Sequence, residues 1–543
     1  LSSKGVRPAR PRAAGDLTAV CLLAALANLA FLTKAVHIDE AFFLAPVPQI
    51  LKDPWHPLNF TLNWTGVART GWYTPSATSY FLAAAAWLAR GSEPLMRLFW
   101  LPVDVLAACA LYDLASRFLA RPLWPTLLIL VTPAWFISMP LLMSEKWLMC
   151  SILISVCALL RGLERDAPAW FWASAAFASL AILIKLTAAL VLLPLLAMQW
   201  RGGLRPARIA GYLAVCAIPV MVDNLWLEPG RMAVIRAVSQ ARPSDLWSLA
   251  HRLRAFLAFP AGCSVAAAVW PYARYRASRG RLLAVLAGSG AAAVLLFSPF
   301  LDFPGPGVRA IDRLLGVVFA AGTLATLLRL LEPRSRRLPG WWLWASWAGA
   351  GMLVGWVNWY LSARSVLLWL PALMLACAER LESETSAARL EILCRFCFPA
   401  VLALSLALAV VDAHYAQAQR ALANYVKTSY VDRGRKAWFT GHWGLQYYLE
   451  KAGAAPLDES RGGWSETGPG DVVILPMVNA SQLYPPSGLT LESSEFAVAE
   501  PIPLRLMGGP GLSEAGFYSS LWGFLPYSIS DKPLDAFRIF EKP

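Results

Sequence analysis

An acidic pair, Asp39 and Glu40, stands where the first apolar run of the chain ends, in the order His37-Ile38-Asp39-Glu40-Ala41-Phe42-Phe43. Carboxylates at the rim of a membrane are costly to place and mark chemistry or transport more often than packing. Two further acids hold comparable positions: Glu93 opens a later apolar run, and Glu145 follows the turn Met143-Ser144. Carboxylates gathered on one face can take a proton from a hydroxyl, a role that partial desolvation favours. If the leaving group is a lipid phosphate, neighbouring cations must stabilise the negative charge that develops on it. Arg97, Lys146, Lys185 and Arg364 are the cations at the matching ends of apolar segments. The candidate catalytic residues are therefore Asp39, Glu40 and Glu145. The candidate substrate-binding residues are Glu93, Arg97, Lys146, Lys185, Arg364 and His37. His37 and His56 lie near the acidic pair, but spacing fixes no third ligand, so no metal site and no resident cofactor are expected, with a divalent metal left open.

The elements that must hold these residues are membrane helices. The 543 residues are 57% hydrophobic and only 15% charged, with a mean hydropathy of +0.50, too apolar for an ordinary soluble domain. Of the 25 tryptophans, many (Trp87, Trp100, Trp124, Trp147, Trp170, Trp200, Trp226, Trp341, Trp342 and Trp359) stand near the ends of apolar runs, as in interfacial aromatic belts. The net charge of +14 does not call for a nucleic-acid partner, because most basic residues fall in short loops where membrane topology accounts for them. Nine cysteines all precede residue 398, mostly within apolar runs, and Cys394-x-x-Cys397 lacks the second pair or histidine that would complete a metal site.

Segments long enough to span fall at 17–36, 95–116, 123–139, 147–163, 169–184, 187–200, 209–226, 251–270, 282–300, 309–331, 341–360, 365–380 and 396–413. Segment 76–90 decides the topology. If it lies along the surface, the N-terminal arm with Lys4, Arg7, Arg10 and Arg12 shares one face with the loops carrying Arg117 and Arg121, Arg161 and Arg165, Arg201 to Arg208, Arg274 to Arg281, Arg334 to Arg337, and Arg380 to Arg395. The positive-inside rule makes that face cytoplasmic. The reading is thus a polytopic α-helical protein of about 13 spans. Residues 1–16 form a cytoplasmic arm, 17–413 the transmembrane domain with an outer loop 37–94, and 414–543 an extracytoplasmic α/β domain. The run from Leu17 is read as a retained first span in a bacterial inner membrane. In the tail, Lys436–Thr440 and Asp471–Leu475 are expected as buried strands and Trp443–Ala452 as a helix. Gly468-Pro469-Gly470-Asp471 and Tyr484-Pro485-Pro486-Ser487-Gly488 signal turns.

The acidic pair after the first span, Thr74-Pro75 with Tyr80, the run Glu93-Pro94-Leu95-Met96-Arg97 and the turn Met143-Ser144-Glu145 resemble the GT-C glycosyltransferases of the protein O-mannosyltransferase and aminoarabinose-transferase type. The resemblance covers roughly residues 17–200, and Gly441-His442-Trp443-Gly444-Leu445-Gln446-Tyr447-Tyr448 is similar to a stretch in bacterial members. It implies a polyprenyl-phosphate sugar as donor, a lipid, glycan or protein acceptor on the extracytoplasmic side, and contact with membrane lipids. By the same resemblance Asp39 matches the catalytic acid of the first outer loop, and Glu145 stands where many members carry Asp. Two departures separate this chain from aminoarabinose transferases: Phe42 replaces an Arg three residues after the catalytic Asp, and Thr74-Pro75 replaces a Pro-Pro. The resemblance therefore does not assign the phosphate contacts.

Simpler roles compete with each residue. Asp39 suits the N-cap of a helix beginning near Ala41. Glu145-Lys146 suits a polar turn, Lys185 can snorkel to headgroups, and His442-Trp443 can be a helix-start packing motif. Asn59-Phe60-Thr61 and Asn63-Trp64-Thr65 fit the glycosylation pattern on the outer side, though a bacterial source would leave them unmodified. The rival function is a transporter or lipid flippase of envelope glycan precursors. Against it, the acids sit at span ends on one face and the two halves of the chain do not match.

Overall fold

The computed structural model describes residues 14–71, 76–222, 246–265, 279–302, 307–358, 360–486, 492–509 and 512–542. The basic arm at residues 1–13, Thr74-Pro75, most of the expected outer loop 227–250, Trp226, Arg274, Arg276, Trp359 and the turn Ser487-Gly488 lie outside the described residues.

Each of the thirteen expected apolar segments contains helix, and several are interrupted. Segment 123–139 is two helices, Leu123–Leu130 and Pro133–Ser138, because the residue before Pro133 is driven out of the helical region. Segment 365–380 is likewise split into Ala363–Leu367 and Leu370–Glu384. Among the described residues, four helices are long and apolar enough to cross a membrane: Glu93–Phe118, Ser144–Arg165, Ala310–Leu331 and the helix beginning at Ala387. Shorter apolar helices accompany them, including Ala14–Leu29, Pro168–Ile184 and Pro206–Val222. Exposed Leu26, Phe99, Trp200, Leu295, Leu314 and Phe396 give this helical body an apolar outer surface, as lipid contact demands.

Helix Ser76–Leu88, in the segment that decides topology, has 13 residues. At 1.5 Å per residue it is about 20 Å long, short of the roughly 30 Å hydrocarbon core. It packs against Val47–Lys52 and the start of Glu93–Phe118.

The two ends of the body differ chemically. Glu93–Phe118 and Ser144–Arg165 both carry an acid in the first turn and an arginine in the last. At the arginine end, Arg161 pairs with Asp113 at 2.8 Å, Arg121 with Glu391 at 2.5 Å, and Arg380 with Glu332 at 3.1 Å. Loops far apart in sequence thus meet on the face where the arginines were expected together.

The helix Ala387–Ser429 runs 43 residues, about 65 Å at the usual rise, so it continues past residue 413 and beyond any bilayer. It leads into a five-stranded sheet. Central strand Val472–Pro476 pairs in parallel with Ala437–Phe439 and antiparallel with Asp535–Glu541; Ala455–Pro456 and Glu492–Val498 form the edges. Both expected strands and the expected helix, here Gly444–Lys451, are present. The hairpin Thr61–Asn63 and Ala68–Thr70 docks on this sheet domain: buried Asn63 donates to the Leu457 carbonyl at 2.9 Å, and Glu459 N–H donates to the Gly66 carbonyl at 2.8 Å.

Candidate active site

Asp39 occupies the N-cap position of the short helix Glu40–Leu44, yet its side chain makes no cap hydrogen bond. It turns to Arg364 instead, and Oδ2 accepts from Nη2 at 2.8 Å with 29% of the Asp39 side chain left exposed. The preceding residue, Ile38, has φ +47°, a conformation that β-branched residues avoid and that surrounding anchors must hold. Those anchors are its neighbours: His37 is tied to Asp412, and Glu40 to Arg97.

Arg364 lies in the helix Ala363–Leu367, whose N-cap Ser362 accepts from the Ser365 N–H. Its guanidinium is buried, with Met143 Sδ 3.4 Å from Nη1 and the Tyr518 ring centroid 5.7 Å away. Asp39, Glu145 and Tyr360 all lie close enough to act on its charge. Glu145, in the first turn of Ser144–Arg165, accepts from Lys185 at 3.3 Å through Oε1, while its buried Oε2 has no hydrogen-bond partner among the described residues. Lys185 caps the C-terminus of Pro168–Ile184, where the helix dipole favours a cation, and its side chain is 32% exposed. Four expected residues, Asp39, Glu145, Lys185 and Arg364, therefore converge from four separate segments.

The other five pair elsewhere. Glu40 is fully enclosed: Arg97 grips its two oxygens at 2.8 and 2.9 Å, and the N–H groups of Leu142 and His37 donate at 2.6 and 2.7 Å. Arg97 also donates to the carbonyls of Pro140 and Ala35, so the pair knots the segment before Glu40 to the turn before Ser144–Arg165. Lys146 faces Asp104 at 2.9 Å in a closed ion pair beside Trp100. Glu93 accepts from Arg420 and the Tyr448 hydroxyl, both at 2.7 Å, which fastens the helical body to the sheet domain. Buried His37 bonds Asp412 at 3.1 Å, and Asp412 also takes Lys34 and the Tyr518 hydroxyl, the latter at 2.7 Å. Each enclosed charge thus has an opposite charge beside it, without which burial is strongly unfavourable.

Sequence reasoning missed Asp412, Lys34, Tyr518, Tyr360 and Trp64. Asp412 carried one usable signal, an acid at the end of an apolar run. Tyr518 and Trp64 carried none, since only packing brings them here.

The sheet domain adds His442. Its ring stacks on Trp64 with centroids 4.2 Å apart, and Trp64 in turn lies against Phe42 at 5.0 Å. Burial holds the imidazole down to about 4, with Asp39 and a hydrogen bond to the Trp64 backbone pulling the other way, so it is neutral at neutral pH. Among the described residues no group of three or more histidine, cysteine or acidic side chains is arranged to hold a metal ion.

No family model and no curated protein matches the sequence. Among solved structures, the chain is similar to ArnT from Cupriavidus metallidurans in the apo state, with 14% identity over 84% of this chain and 92% of that one and a TM-score of 0.43. The same protein bound to undecaprenyl phosphate matches at 14% identity over 86% and 94%, with a TM-score of 0.42. The Archaeoglobus fulgidus oligosaccharyltransferase in complex with Zn and sulfate matches at 13% identity over 81% and 62%, with a TM-score of 0.46. At these similarities the functional reading rests on the side chains described above.

Proposed function

We propose that this chain is an integral membrane glycosyltransferase of GT-C type. It moves a sugar from a polyprenyl-phosphate donor to an acceptor on the extracytoplasmic side, with Asp39 as general base. The observation that carries the reading is the solvent-open carboxylate of Asp39, fixed by Arg364 beside Glu145 and Lys185. The naming of undecaprenyl phosphate for one similar structure agrees with a donor of this class.

In this reading the acceptor hydroxyl lies against Asp39. Its oxygen forms a bond to the anomeric carbon as the bond from that carbon to the phosphate oxygen breaks, the electron pair leaving on the phosphate. The hydroxyl proton passes to Asp39, and polyprenyl phosphate departs. Arg364 and Lys185 supply the positive charge that the leaving phosphate needs, in a buried setting where such charges act strongly. Arg364 also aims Asp39, and Glu145 keeps the two cations from repelling a shared site apart. Glu40, Arg97, His37, Glu93 and Lys146 position this cleft from behind.

The test compares envelope glycans and lipids by mass spectrometry in cells lacking the gene and in cells complemented with wild type or Asp39→Asn. A glycan that disappears without the gene and returns with wild type alone supports the reading. Full restoration by Asp39→Asn sinks the assignment of the base. A cysteine at position 42 reacting with an impermeant thiol reagent only from the cytoplasmic side overturns the orientation.

A further inference from the structure

The residues that deliver Arg364 to the cleft are clamped by a tail segment far away in sequence. The Ala363 N–H donates to the Phe517 carbonyl at 2.8 Å. Leu361 exchanges two hydrogen bonds with Ser520: its N–H donates to the Ser520 hydroxyl at 2.9 Å, and its carbonyl accepts from the Ser520 N–H at 2.7 Å. The tail segment is itself tightly closed. The Gly516 N–H donates to the Leu525 carbonyl at 2.7 Å, and the Leu525 N–H donates to the Glu514 carbonyl at 2.9 Å. A Cβ on Gly523 would come within 2.1 Å of the Glu514 backbone, so the crossing at the base of this loop leaves no room for a side chain. Tyr518, between the two clamps, is thereby presented at a fixed place.

Tyr518 is buried and touches groups on both sides of Asp39. The Arg364 guanidinium lies over its ring, 5.7 Å from the centroid, and the His37 ring meets it edge to face with centroids 5.4 Å apart. Its hydroxyl donates at 2.7 Å to Asp412, the carboxylate that also bonds His37. A cation over an aromatic face is attracted by the ring quadrupole, most strongly where water is excluded. This hold differs from that on Arg97, whose donors are taken by Glu40 and two carbonyls. Arg364 gives Nη2 to Asp39 and sets Nη1 against the weak acceptor Sδ of Met143, while its Nε has no hydrogen-bond partner among the described residues. A ring face occupies none of the five N–H donors, so it fixes the guanidinium and leaves donors for a phosphate.

We propose that Tyr518 is a positioning residue for the transfer: its ring holds Arg364 where that cation both aims Asp39 and receives the leaving phosphate, so the tail segment completes the active site. The hydroxyl seats the ring on Asp412 and, through that carboxylate, ties it to His37, two residues before Asp39. The cleft is thus fixed from three parts of the chain at once: the first outer loop, the segment before Arg364 and the tail. The inference rests on the reading of Arg364 as a phosphate contact.

The experiment measures equilibrium binding of radiolabelled undecaprenyl phosphate to the purified full chain in detergent. Tyr518→Phe keeps the ring and loses the hydroxyl, whereas Tyr518→Gln keeps an N–H donor for Asp412 and loses the ring. Tyr518→Gln should bind about tenfold or more weakly than wild type, and Tyr518→Phe within about threefold of it, as a desolvated cation–π contact is lost or kept. In an Arg364→Met background, Tyr518→Gln should cause no further loss, because two changes that remove one shared interaction do not add. A ring that merely supports the fold would cost the same factor in both backgrounds. That result, or wild-type binding by a folded Tyr518→Gln protein, overturns the inference. If Tyr518→Gln does not fold, Tyr518→Leu takes its place, and failure of both to fold makes the ring a folding element and overturns the inference too. Binding indifferent to Arg364→Met sinks the donor-phosphate reading together with the inference, whereas dependence on Arg364 without dependence on the ring sinks the inference alone.

Discussion

Asp39 and Glu40 are adjacent in the chain and live in opposite surroundings. The Asp39 side chain keeps 29% of its surface open and, among the described residues, has a single salt-bridge partner, Arg364. Glu40 is 0% exposed and takes a two-pronged arginine plus two backbone N–H groups. A carboxylate with every lone pair occupied has nothing left for a substrate, whereas one with open surface and one fixed edge can take a proton in a defined direction. Asp535 extends the comparison: it is buried like Glu40, but backbone N–H groups, those of Val478 and Ala536 among them, take the place of an arginine, and among the described residues Oδ2 has no hydrogen-bond partner. Exposure and counter-charge, not residue type, separate the three.

The strongest way to break this contrast is Asp39→Asn. It should lower transfer by about 10²- to 10⁴-fold, the usual contribution of a general base, in a protein that still folds, since the asparagine amide oxygen can still accept from buried Arg364. Glu40→Ala should do the reverse. Removing one partner of a buried pair leaves Arg97 uncompensated and costs about 3–5 kcal/mol of stability. Thermal unfolding of the purified protein reads this, and a Glu40→Ala protein as stable as wild type would mean the knot holds nothing together. Lys185→Met sharpens the phosphate side, where a charged hydrogen bond is worth about 1.5–3 kcal/mol. The donor KM should rise by roughly tenfold or more, and an unaltered KM would leave Lys185 as a snorkelling residue.

Asp535 tests the contrast through pH. Burial pushes its carboxyl up to about 8 from an ordinary value of 3.8, against the pull of the N–H groups of Val478 and Ala536. Because the folded value lies above the unfolded one, the unfolded chain loses its proton first as pH rises. The contribution to stability is complete below about 3.8 and is lost progressively up to about 8. Asp535→Asn should therefore unfold at a temperature that falls less than wild type between pH 5 and 8, and identical pH profiles would contradict this.

The helical class, the presence of helix in each expected apolar segment, arginine ion pairs at one end and the strands within or next to residues 436–440 and 471–475 were legible because apolar runs, charge placement and turn residues are local signals. So was the short list that held Asp39, Glu145, Lys185 and Arg364. Sequence alone did not sort that list. Glu40, Arg97 and Lys146 have the same types and the same positions at segment ends as residues in the cleft, and only packing decided that their partners enclose them.

His442 makes the same point from the far end of the chain. Its motif stood out as a string of residues, but its stack on Trp64 and its place against Val36 come from Gly444 closing on the Val36 carbonyl and from Asn479 holding the loop. Sequence determined which residues can carry charge and where the membrane leaves them. Tertiary structure decided which charges are cancelled and which stay open, because burial and pairing depend on segments hundreds of residues apart, as with Asp39 and Arg364.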